Sequence, residues 1–79
     1  MTDLGPIHVA FGNAMRELRK ERDLSQEALA LEASLNRSYF SGVERGVRNI
    51  SLVNIEKLAD ALGIEVSEVF VRVEQIRKR

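Results

Sequence analysis

Residues 24–46 read Leu24-Ser25-Gln26-Glu27-Ala28-Leu29-Ala30-Leu31-Glu32-Ala33-Ser34-Leu35-Asn36-Arg37-Ser38-Tyr39-Phe40-Ser41-Gly42-Val43-Glu44-Arg45-Gly46, two short helical patterns joined by a brief turn. Ser25 is a good N-cap residue, and Glu27 sets a carboxylate in the first turn, where the helix dipole favours it. Leu29, Ala30 and Ala33 then fall on one face and predict a helix over 26–33. Ser34 to Asn36 is the turn. Asn36 caps a second helix over 37–45, whose Phe40 and Val43 are spaced three apart and face the core. Gly46 can take the left-handed conformation that ends such a helix.

The pattern extends in both directions. Ile7, Phe11, Ala14, Met15 and Leu18 form one helical stripe, which predicts a helix over 7–22 behind a short arm at Gly5 and Pro6. Ser51 caps a helix over 52–62 with Ile55, Leu58, Ala59 and Leu62 inward, and Gly63 closes it. Ser67 or a neighbour starts a fifth helix that runs to about 77. Val69 to Val73 could be read as a strand, but so short a run with no partner would leave an open edge. The expected architecture is all-α: one compact five-helix domain over 1–79. Its core is expected from Leu18, Leu29, Phe40, Val43, Ile55, Leu58 and Leu62.

Composition narrows the function. Seventy-nine residues allow one domain with a thin core, for which oligomerisation is one usual remedy. The chain has no cysteine, which excludes disulfides, cysteine zinc sites and thiol catalysis. No apolar run approaches a membrane span, and residues 1–15 show no basic region ahead of an apolar stretch, so the expected compartment is the prokaryotic cytoplasm, on the nucleoid. His8 is the lone histidine and is expected to be exposed, without metal or triad partners. Glu65, Glu68 and Glu74 flank the fifth helix as a solvated face. No cofactor and no catalytic group is expected.

Two short helices joined by a tight turn make a helix-turn-helix unit, and the second helix of such a unit fits the major groove of DNA. Arg37, Ser38, Tyr39 and Ser41 lie off the Phe40–Val43 stripe, near the start of that helix. Arg37 can donate twice to guanine, the serines can donate or accept, and Tyr39 has a hydroxyl for phosphate and a ring for a thymine methyl. Twelve basic residues balance twelve acidic ones. Charge is uneven, however: 36–50 carries Arg37, Arg45 and Arg48 against Glu44, enough for a local basic face. Gly42 lies inside a helix, where glycine costs about 1 kcal/mol relative to alanine. Close approach to nucleic acid and tight packing against the preceding helix both explain it.

The runs Leu24-Ser25-Gln26-Glu27-Ala28-Leu29-Ala30, Asn36 to Gly46, and Leu58-Ala59-Asp60-Ala61-Leu62-Gly63-Ile64 together resemble the Cro and phage-repressor (XRE) family over residues 8–70. Ser34 departs from it, since the family usually has glycine in that turn. The segment Arg45-Gly46-Val47-Arg48-Asn49-Ile50-Ser51 resembles the controller proteins of restriction-modification systems, as does the short chain length. The resemblance implies an autoregulatory, dimeric regulator on a double-stranded DNA operator, with RNA polymerase as a further partner. It implies that Gln26 reaches outward to a phosphate and braces the second helix. Asn36, Arg45, Asn49 and Ser51 are placed on the DNA backbone, and Arg48 among the base readers. Glu44 is expected to turn inward and pair with Arg19. An antitoxin-like interaction module is the alternative, although such proteins usually carry a longer segment beyond the domain.

The fifth helix carries Val66, Val69, Phe70, Val73 and Ile76 on one face, the expected dimer interface. Val73 and Ile76 are expected to lie uncovered within one chain, unless they fold back near Ile7 and Phe11.

Overall fold

The computed structural model describes residues 4–79, which form α1 (Pro6–Glu21), α2 (Gln26–Glu32), α3 (Arg37–Glu44), α4 (Leu52–Leu62) and α5 (Val66–Arg77). Among the described residues there is no strand. Residues 1–3 of the expected arm lie outside the described residues. Each helix begins and ends within one residue of its expected bounds.

Local chemistry accounts for those bounds. Pro6 opens α1, where its missing N–H is not needed. The side chains of Ser25, Asn36 and Ser51 accept the backbone N–H groups of Ala28, Tyr39 and Asn54, capping α2, α3 and α4. At α5 a neighbour of Ser67 starts the helix, as expected. The Glu68 carboxylate accepts the Glu65 N–H at 2.8 Å, and the helix begins at Val66. Gly46, at φ +76°, ends α3. Its N–H reaches the Val43 carbonyl, and the Val47 N–H reaches the Gly42 carbonyl, both at 3.0 Å. This Schellman arrangement turns the chain back across α3.

All seven expected core residues are buried, joined by Met15, Val69 and Val73 among others. Gly12 lets α1 cross the end of α3. A Cβ there would overlap the Glu44 carbonyl oxygen and stand 2.6 Å from that of Val43.

The fifth helix corrects the expected interface. It packs chiefly on α1. Val69 and Val73 are 0% exposed, within the cluster that contains Phe11, Ala14, Met15 and Leu18. Phe70 stacks at a tilt on Phe11, with ring centroids 6.0 Å apart, and Ile76 is partly buried against the same core. α1 therefore covers Val73, which no second chain can reach in the folded protomer. Polar contacts line the edge of this seam. Arg72 donates to Glu21 at 2.7 Å and Glu17 at 3.2 Å, and Arg79 bonds Glu17. The Arg79 hydrogen bond, ahead of that from Arg72, holds the Glu17 carboxyl below its usual range, and Arg72 does the same for Glu21.

Candidate nucleic-acid interface

The turn at Ser34 (φ +58°) brings the start of α3 beside the start of α2. Gln26, Asn36, Arg37, Ser38, Ser41 and Arg45 line one shallow depression. Arg37, Ser38 and Arg45 are exposed and Ser41 is half-buried, so the guanidinium groups and hydroxyls are open to a ligand. Asn36 and Ser51 are exposed, but each commits its side-chain oxygen to a helix cap.

Beneath this face lies Glu44, 1% exposed. Arg19 donates to its two carboxylate oxygens from Nε (2.7 Å) and Nη2 (3.2 Å). The remaining Arg19 nitrogen, Nη1, donates to the Leu24 carbonyl at 2.8 Å. Gln26 Nε2 adds a third hydrogen bond to Glu44, at 2.8 Å. Gln26 thus points inward, where the outward reach was expected. It links the opening of α2 to the end of α3. A buried carboxylate with this many donors is compensated, whereas one stripped of them is costly.

The other flank was expected to offer Tyr39, Arg48 and Asn49 freely, and the structure ties two of them down. The Tyr39 hydroxyl donates to the Asn49 carbonyl (3.1 Å) and accepts from Asn54 Nδ2 (3.2 Å). Asn49 Oδ1 accepts the Ile50 N–H at 2.9 Å and lies 2.9 Å from His8 Nε2. These bonds pin the loop 47–50 to α1, α3 and α4. His8 is half-buried, against the expected exposure, and its Nδ1 is buried without a hydrogen-bond partner among the described residues. Arg48 stays exposed, with its guanidinium carbon 5.6 Å from the centroid of the Tyr39 ring, in cation–π range. The roles of His8, Gly12 and Asn54 in the site were missed. Each acts through a contact distant in sequence, with no local signal.

A fold of this kind, with an open polar face on the second helix of a tight helical pair, defines a helix-turn-helix protein. The helix-turn-helix family model matches residues 15–69, and the chain belongs to that family. Within it the chain stands with the control proteins of restriction-modification systems. Control protein C.MunI from Mycoplasma sp is 48% identical over 73 residues, covering 91% of this chain and 99% of that protein. The structure of the restriction-modification controller protein C.AhdI from Aeromonas hydrophila is 60% identical, with a TM-score of 0.78, covering 80% of this chain and 96% of that one. The controller protein C.Esp1396I, solved as a tetramer with its natural 35 base-pair operator, shares the fold at a TM-score of 0.88 with 24% identity, covering 95% of this chain and 99% of that one. No described helix is long and apolar enough to cross a membrane.

Proposed function

We propose that this chain is an autoregulatory control protein: a sequence-specific double-stranded DNA-binding regulator that acts as a homodimer on a roughly palindromic operator. The observation that carries this reading is the depression on α3, where Arg37, Ser38 and Ser41 meet Gln26, Asn36 and Arg45. Arg37 and the serines supply base-edge donors and acceptors, while Asn36, Arg45, Asn49 and Ser51 border them as backbone contacts. Gln26 serves the backbone after exchanging its Glu44 bond for a phosphate. Arg48 reads a base edge from the adjoining loop. RNA polymerase is the further partner of such a regulator when it activates, and the prokaryotic cytoplasm is its compartment. No residue is assigned a catalytic role.

Dimerisation is assigned to the apolar surface that α5 keeps after packing on α1. Val66 is 38% exposed and Phe70 and Ile76 are half-buried. Phe70 lies where two shallow depressions meet, one toward Ile7 and Ile50 and one along Val71. A second copy across this surface removes it from water and sets two α3 helices about 34 Å apart, one turn of DNA.

The test is selection from random duplex, with footprinting upstream of the chain's own gene across a range of salt. A two-fold-related site should emerge, and log affinity should fall steeply with log salt as phosphate contacts release counterions. Binding without sequence preference, or a flat salt plot, would overturn the reading.

A further inference from the structure

We infer that Gly42 is a positioning residue for Arg48: its missing side chain leaves a slot on α3 that holds the Arg48 stem and aims the guanidinium at the DNA. The inference rests on the DNA-reading role proposed above and adds a specificity determinant to it. A Cβ built on Gly42 would overlap Arg48 Cγ and stand 3.3 Å from Arg48 Cβ and 3.4 Å from its Cδ. These are the nearest atoms to that position, so Arg48 fills the space, not α2 and not open solvent.

Three features make the slot specific for this side chain. The Val47 N–H to Gly42 carbonyl bond, at 3.0 Å, returns the chain so that Arg48 follows directly over Gly42. Beyond the slot, the Arg48 guanidinium meets the face of the Tyr39 ring, 5.6 Å from its centroid. That ring is itself pinned by Asn49 and Asn54. Gly42 is buried while Arg48 remains exposed, so the stem is held and the charged head is left to bind. Preorganising a long side chain lowers the entropy lost when it binds. An interior glycine is a poor helix former, and this seat for Arg48 gives it a reason that helix stability does not.

The experiment compares the wild type with Gly42→Ala, Arg48→Ala and the double variant by selection from random duplexes, together with thermal melting. Arg48→Ala should lose about tenfold or more of discrimination at one base pair of each half-site. Gly42→Ala should reproduce that profile while its Tm stays level or rises, since alanine is the better helix former. The double variant should match Arg48→Ala alone. A purely structural glycine would move Tm and leave the preference intact. Gly42→Ala that keeps the wild-type preference, or that unfolds, overturns the inference and spares the reading beneath it. Arg48→Ala without any effect removes Arg48 as a reader and the inference with it. Arg37→Ala, measured alongside, shows whether the wider DNA-binding reading has then failed as well.

Discussion

The segment from Ser25 to Ser51 is fixed by short-range polar bonds, whereas α5 is fixed by what α1 lays over it. In the first region each helix start has its own side-chain cap, and the turn after α3 closes through Gly46. This region sends Leu29, Phe40 and Val43 into the core, and beside them its polar bonds close on a buried ionic cluster, Arg19–Glu44–Gln26. In the second region Val69 and Val73 sink wholly into the core, and Phe70 leans on Phe11. The difference separates two jobs. Local bonds hold a polar surface open for a partner, and long-range apolar packing supplies the stability that an open polar surface cannot.

The largest test of this contrast is a pair of charges on α5. Val73→Glu buries an unpaired carboxylate at a cost of several kcal/mol, against roughly 4–12 kcal/mol of total stability expected for a chain of this size. It should unfold the protein by circular dichroism. Val66→Glu, on the exposed side, should remain helical and sediment as a monomer. A folded Val73→Glu monomer would show that α1 does not cover that residue. Next in size is Arg19→Ala, which leaves Glu44 buried without its main partner and should cost about 3–5 kcal/mol in denaturant unfolding. Replacing both, as Arg19→Met with Glu44→Leu, should cost less than Arg19→Ala alone. Equal losses would show that the cost does not come from leaving the Glu44 carboxylate unpaired.

Sequence resolved the two regions unequally, and for a physical reason. Ser25, Asn36, Ser51 and Gly46 act on groups within a few residues, so the five helices and the α3 face could be read from spacing alone. The stripe on α5 could also be read, but its use could not. Periodicity says that Val73 shares a face with Val69, and only the path of α1 says what covers that face. Tyr39 and Asn49 were seen as donors and acceptors without their partners, which lie on α4 and α1. The Gly42–Arg48 contact left a faint signal: a Schellman turn at Gly46 obliges the chain to fold back over Gly42.

Two smaller effects sharpen the local half of the comparison. Arg37→Ala should weaken operator binding by about 1–3 kcal/mol per lost bidentate contact and relax one base pair of each half-site. Its Tm should not move, because Arg37 is exposed and cuts no core contact. Retained preference would take the start of α3 out of the groove. Ser34→Gly should act in the opposite way. Ser34 sits at φ +58°, where an L-residue costs about 1–2 kcal/mol, partly offset by the roughly 0.5–1 kcal/mol of backbone entropy that glycine loses. The net gain of up to about 1.5 kcal/mol should raise Tm by several degrees with operator affinity unchanged. A lower Tm would mean that the serine side chain stabilises the turn.

The smallest effect belongs to the polar edge of the α1–α5 seam. Glu17 and Glu21 are held below their ordinary carboxylate range, chiefly by the hydrogen bonds from Arg79 and Arg72 respectively. A carboxylate whose folded pKa lies below its unfolded one adds stability above the unfolded value and loses it as pH falls through the folded one. The seam contribution should therefore be whole at neutral pH and fade below about pH 4.5, the ordinary value for these groups. Both carboxylates face water and are screened, so the effect on Tm should be slight beside that of Val73. Melting curves of wild type and Arg72→Met from about pH 7 to about pH 3 isolate it. The wild type should be the more stable at neutral pH, and the gap should narrow on acidification and in high salt. A gap independent of both pH and salt would show that the ion pairs of Arg72 with Glu17 and Glu21 are not what the substitution removes.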